Sequence, residues 1–101
     1  MRAFAVGSFG EPASVHDLPA PTADAEVLIR VRFAGVNPLD NNVLGRLTAT
    51  SSYPFVVGID FAGVAKRVPA GALDLRAGDR VFGMARTHGS YACLLYTSRC
   101  V

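Results

Sequence analysis

Cysteine is almost missing from this sequence: of 101 residues only Cys93 and Cys100 are cysteines, and both fall within the last nine. The body of the chain therefore has no thiol for a disulfide framework or a cysteine-rich metal site, which fits a reducing compartment. Lysine is scarcer still. Lys66 stands alone beside nine arginines, which face eight acids for a net charge of +2, and these charges scatter without forming a block or stripe. That distribution speaks against a nucleic-acid partner. Long apolar runs are also lacking. No window approaches the roughly 20 apolar residues of a membrane span, and Met1 to Val6 reaches Gly7 without the apolar segment of a signal peptide, so a cytoplasmic protein is expected. There is no internal repeat and no low-complexity tract. No Gly-x-Gly-x-x-Gly follows a strand pattern, so the turn that cradles a dinucleotide pyrophosphate is absent.

Half of the residues are apolar, enough for one modest core but not for a two-domain enzyme. Glycine and proline cut the chain into short runs rich in Val, Ile and Phe, which predicts a mainly β domain. Residues 2–6 read as a first strand, Gly7 to Pro12 as a turn, and Ala13 to Leu18 as a second strand ended by Pro19-Ala20-Pro21. From Glu26 to Val36 the pattern alternates, placing Val27, Ile29, Val31 and Phe33 on one face and Arg30 and Arg32 on the other. Asn37 is a candidate N-cap before Pro38, and a short helix from Pro38 to Leu44 can end at Gly45. Arg46 to Pro54 is a polar loop of the kind that rims pockets. Phe55 to Val68 reads as one strand bent by a bulge at Gly58 and Gly63, ended by Pro69-Ala70-Gly71. Asp74 to Gly78 is a loop into a strand from Asp79 to Met84, and Gly89 to Ala92 begins another.

Four segments, in order, carry a family pattern: Gly35-Val36-Asn37-Pro38-Leu39-Asp40; Pro54 followed by Gly58-Ile59-Asp60-Phe61-Ala62-Gly63-Val64; Ala77-Gly78-Asp79-Arg80-Val81-Phe82-Gly83; and Gly89-Ser90-Tyr91-Ala92. Each is weak alone, but their order and spacing resemble the quinone-oxidoreductase branch of the medium-chain dehydrogenase/reductase superfamily. The resemblance covers residues 1–92. It implies a GroES-like, partly open β-barrel with one short helix, forming the substrate side of a cleft whose cofactor side belongs to a separate Rossmann domain. It further implies NADPH-dependent reduction of quinones, enones or related carbonyl compounds, in a parent enzyme that forms a homodimer.

Zinc alcohol dehydrogenases of the superfamily place a Cys where Asn37 stands and Gly-His-Glu where Gly58-Ile59-Asp60 stands. Catalytic zinc needs about three Cys, His or carboxylate ligands, so an amide and an isoleucine in two of those places predict no zinc. A carbonyl would then be polarised by hydrogen bonds alone.

The resemblance gives Asn37 a position facing nicotinamide and substrate, while the residue pattern gives it a helix-capping role, and one side chain can serve both. Asp40 matches a position near the cleft, though an acid in a first helical turn also favours the helix dipole. At Asn42 the family commonly has a pocket-lining Tyr; Asn42 remains a hydrogen-bonding candidate for substrate, and Tyr53 is a pocket-rim candidate. Asp60 is expected as a part-buried anchor accepting backbone or Arg hydrogen bonds. Gly58 and Gly63 are expected to serve architecture. His16 and His88 have no acid or nucleophile at motif spacing.

After Ala92 the sequence leaves the family pattern. Residues 93–101 read as the non-native end of a truncated gene, leaving a barrel edge open. The expected function is that of a parent reductase, the fragment itself being inactive. The alternatives are an enoyl-reductase module of a larger synthase and a non-catalytic GroES-like binding module.

Overall fold

The computed structural model describes residues 1–21, 26–71, 75–85 and 89–97. His88, Cys100 and the start of the Asp74 loop lie outside them. The elements run β1 (Arg2–Val6), β2 (Ser14–Asp17), β3 (Val27–Ala34), α1 (Pro38–Leu44), β4 (Phe55–Val56), β5 (Asp60–Arg67), β6 (Arg80–Met84) and β7 (Leu94–Thr97). They form two antiparallel sheets, ordered β2-β1-β4 and β6-β5-β3-β7. The result is a mainly β, GroES-like fold whose sheets do not close into a full barrel.

Residues 89–93 stitch the sheets together. Phe4 N–H donates to the Tyr91 carbonyl at 2.8 Å, Tyr91 N–H to Val57 at 2.9 Å, and Val31 N–H to Cys93 at 3.0 Å. The inner face of the larger sheet carries the core: Val27, Ile29, Phe61, Ala65, Val81 and Leu95 are all buried. Full burial of an aliphatic side chain such as Ile29 contributes about 1.5–3 kcal/mol.

Helix α1 has the predicted bounds, but the strands differ in three places. Phe55 to Val68 is not one bulged strand. Phe55–Val56 pairs with β1, whereas Asp60–Arg67 belongs to the other sheet. Gly58, with φ +103°, sits in the connection. The bulges fall elsewhere, because the β3–β5 register slips between Val31 and Phe33 and again between Leu28 and Ile29. The first slip skips Arg32 and reverses the expected face of Phe33, which is 76% exposed while Val27 and Ile29 are buried. Lastly, Gly89 to Ala92 makes only a bridge, Ala92 to Ala3, and the strand follows it. Leu94–Thr97 pairs with Val27–Arg30 of β3, so the edge expected to be open is covered, and Leu95 enters the core.

The outer face of the larger sheet is solvent-facing. Phe33, Ala62 and Phe82 form one row across three strands, and Arg30, Val64 and Arg80 form another. Phe33 and Phe82 wall an open groove of about 460 Å³ over Ala62 and Val64, with Arg32 and Arg80 among its lining residues.

Candidate functional site

The loop leaving β3 meets the start of β5. Asn37 Nδ2 donates to Asp60 Oδ2 at 2.7 Å, joining residues 23 apart in sequence. A neutral donor to a carboxylate at that distance is a charge-assisted bond. Gly35 permits the approach: its N–H donates to the Asp60 carbonyl at 3.1 Å. A Cβ on Gly35 would lie 3.0 Å from Asp60 Cβ and 3.3 Å from Asp60 Oδ2. Asp60 is half-buried at the mouth of β5, and among the described residues its side chain accepts the Asn37 amide.

The helix start has capping-box form. Asp40 Oδ2 accepts the Asn37 backbone N–H at 2.8 Å, and the Asp40 N–H donates to the Asn37 main-chain carbonyl at 3.0 Å. Asp40 is only 6% exposed, and its Oδ1 is buried with no hydrogen-bond partner among the described residues. Burying a carboxylate is costly unless it is hydrogen-bonded. The second donor to Oδ2 comes from far away in sequence: Tyr91 Oη–H, at 2.8 Å. The Gly35 carbonyl lies 3.3 Å from the same hydroxyl. One phenol carries one proton, and the shorter contact to a carboxylate takes it. Burial, the hydrogen bond to Asp40, and the charges of Asp40 and Asp60 push the Tyr91 phenol up to about 12 from its ordinary 10.0. It is therefore a neutral donor throughout the physiological range.

Tyr91 was not singled out from sequence, although it lies in the Gly89-Ser90-Tyr91-Ala92 motif. A lone aromatic hydroxyl gives no hint that it reaches an acid 51 residues away. Its seat depends on Gly58. A Cβ there would fall 2.2 Å from Ser90 Oγ and 2.5 Å from Tyr91 Cδ1. Gly63 likewise marks a close approach, this time of the β3 backbone. Tyr91, Asp40, Asn37 and Asp60 thus form one connected chain of hydrogen bonds.

The remaining candidates lie outside that chain of bonds. Asn42 is exposed on α1. Tyr53 Oη–H donates to the Thr48 carbonyl at 2.7 Å, closing its own loop, and its ring lines a groove with Val6, Phe9, Leu44 and Leu47. His16 Nε2 lies 3.1 Å from Ser14 Oγ. Ile59 is buried, and among the described residues no three His, Cys, Asp or Glu side chains group to share a metal ion. An amide committed to Asp60 and a buried isoleucine do not make a zinc donor set. The start of α1 is also a poor seat for a phosphate, because the Asp40 carboxylate already lies against it.

Two open antiparallel sheets and a short helix meet at the Asn37–Asp60 contact. Residues 23–100 match the alcohol dehydrogenase GroES-like domain, and the chain belongs to that family. Among its relatives, the quinone oxidoreductase of Rattus norvegicus is 35% identical over 98 residues, covering 91% of this chain and 30% of the rat protein. A reducing polyketide synthase, FUB1 of Gibberella fujikuroi, is 40% identical over 75 residues, 73% of this chain and 3% of the synthase. A thermostable alcohol dehydrogenase from Pyrobaculum aerophilum superposes with a TM-score of 0.83 at 29% identity, over 100% of this chain and 40% of that one. The Escherichia coli quinone oxidoreductase complexed with NADPH shares the fold, with a TM-score of 0.80 at 24% identity over 97% of this chain and 31% of that one. The chain thus spans about 30% of the length of its quinone oxidoreductase relatives.

Proposed function

We propose that residues 1–92 form the substrate-side domain of an NADPH-dependent oxidoreductase that reduces quinones, enones or related carbonyl compounds without zinc. The observation that carries this reading is the 2.7 Å bond from Asn37 Nδ2 to Asp60 Oδ2. It occupies the place where zinc enzymes of the superfamily set a Cys and a Gly-His-Glu. A side-chain amide has two N–H donors. Asp60 takes one, fixing the plane of the amide, and the other is offered to a substrate carbonyl or to the carboxamide of the cofactor. A donor held in advance stabilises developing negative charge better than one that must reorient. NADPH, when bound, would supply the hydride, and its phosphates would need a nucleotide-binding domain outside residues 1–92, which contain no glycine-rich turn of that pattern. The quinone oxidoreductase relatives and the NADPH complex of a protein of this fold support the choice of cofactor.

The test is Asn37→Ala in the intact oxidoreductase. Turnover should fall by roughly ten- to a hundredfold, with stability lowered by less than about 1 kcal/mol. Unchanged turnover with a stability loss of about 1 kcal/mol or more would leave Asn37 a purely structural residue. The chain by itself should neither bind NADPH tightly nor oxidise it with a quinone, because one wall of a cleft cannot hold two reactants within roughly 3–3.5 Å.

The similarity to a reducing polyketide synthase favours a second reading, the enoyl-reductase module of a multidomain synthase. The sequence following residue 101 separates the two: acyl-carrier and ketoreductase regions mark a synthase, and a lone Rossmann domain marks a free reductase.

A further inference from the structure

The role proposed for Asn37 assigns none to Tyr91 of the Gly89-Ser90-Tyr91-Ala92 motif, yet its hydroxyl reaches Asp40 and the Gly35 carbonyl on either side of Asn37. We infer that Tyr91 is a positioning residue, whose hydroxyl, by bonding Asp40, holds the Gly35–Asn37 connection where it brings the Asn37 amide to Asp60. This rests on the proposed role of Asn37 and extends it to a residue that does not touch the substrate.

Four contacts support it. Tyr91 Oη is 2.8 Å from Asp40 Oδ2, the atom that also accepts the Asn37 backbone N–H. The same hydroxyl lies 3.3 Å from the Gly35 carbonyl, a near approach without the proton, which Asp40 takes, so it stands beside the chain on both sides of Asn37. The ring packs on Gly58, two residues before Asp60, so closely that a Cβ there would lie 2.5 Å from Cδ1. The Tyr91 backbone is clamped to both Phe4 and Val57 by hydrogen bonds of 2.8 and 2.9 Å. The tyrosine is therefore fixed by its backbone to the smaller sheet, while its hydroxyl and ring bear on the two ends of the Asn37–Asp60 bond.

The first test is hydrogen exchange by NMR on the 101-residue chain, comparing wild type with Tyr91→Phe. Exchange of the Asn37 backbone and side-chain N–H groups should speed by roughly tenfold, the factor carried by 1.4 kcal/mol, while the core amides of Ile29 and Ala65 keep their rates. Unchanged Asn37 exchange in a folded variant overturns the inference, as does equal acceleration at Ile29 and Ala65. If Tyr91→Phe does not fold, fluorotyrosine at position 91 keeps the ring and gives a stronger donor, and Asn37 exchange should then slow; no change overturns the inference. Neither readout uses activity, so the catalytic reading of Asn37 can fail separately. In the intact oxidoreductase Tyr91→Phe should lower kcat while leaving KM for the carbonyl compound unchanged. Adding it to Asn37→Ala should cost nothing more; full additivity of the two would mean that Tyr91 acts by another route.

Discussion

Gly63 of β5 lies directly against the backbone carbonyl of Arg30 in β3: a Cβ on Gly63 would stand 2.1 Å from that oxygen and 3.0 Å from its carbon. The obstacle is backbone in the central strand pair of the larger sheet, not the end of a flexible side chain. Gly63→Ala should cost at least about 3 kcal/mol or prevent folding. Gly71→Ala is the control. It has φ +86° but no atom within 4 Å of the added carbon, so only the left-handed backbone is penalised, by about 1–2 kcal/mol. Urea denaturation of the two variants should separate steric from conformational cost.

The Asn37–Asp60 pair divides stability from chemistry. Asp60 is the acceptor that fixes the amide and is half-buried, so Asp60→Ala should cost about 1–2 kcal/mol, read from the urea midpoint. Asn37→Ala should cost less, because water can reach a half-buried carboxylate. A larger stability loss for Asn37→Ala than for Asp60→Ala would reverse this assignment.

Local signals were legible in the sequence, and distant ones were not. Asn37, Pro38 and Gly45 punctuate α1 within a few residues, so its bounds were legible, although the Asn37 side chain goes to Asp60 instead of capping the helix and Gly45, at φ −69°, is not a left-handed cap. The apolar run from Phe55 to Val68 looks continuous, because nothing local reveals that Gly58 takes a positive φ and turns the chain into another sheet. The outward turn of Phe33 depends on a skipped residue in the pairing with β5, which strict alternation within one strand does not contain. The candidate site divides in the same way. Asn37 was visible through its cap position and its motif, whereas the donor that Asp60 meets and the tyrosine that holds Asp40 depend on contacts across 23 and 51 residues.

Metal analysis gives a third check. The positions that would carry zinc ligands hold Asn37, bound to Asp60, and buried Ile59. After dialysis against buffer containing zinc and then against metal-free buffer, the chain should retain well below one equivalent. Stoichiometric zinc that survives Cys93→Ser and Cys100→Ser would contradict the donor-set argument.

The Tyr91 phenol gives a pH prediction with a definite sign. Its folded pKa is pushed up to about 12 from 10.0, by burial first, then by the hydrogen bond to Asp40 and the charges of Asp40 and Asp60. Folding therefore favours the protonated phenol. The stabilisation is fully present below pH 10 and is lost as pH rises through about 12. Between those values wild type should lose stability more steeply than Tyr91→Phe, whose curve lacks this component. Parallel curves in urea melts from pH 9 to 12 would show that Tyr91 ionises as freely folded as unfolded.

The outer sheet face makes the last prediction. Phe33 and Phe82 flank Ala62 in one cross-strand row and are 76% and 63% exposed. In the next row Arg30 and Arg80 flank Val64, two strand spacings or roughly 10 Å apart. An apolar patch of this kind favours association, but two copies meeting there would also bring their arginines together. Repulsion between arginines of two copies is screened as the Debye length falls from about 10 Å at 0.1 M salt to about 3 Å at 1 M. Self-association of the chain should therefore strengthen with sodium chloride, the reverse of an interface held by ion pairs. Phe33→Ser with Phe82→Ser should abolish it at little cost in stability, because neither ring is in the core. Light scattering across a salt series decides the matter. A wild-type chain that stays monomeric at every salt concentration, or a double variant that associates as before, would show that this face does not drive contact between copies.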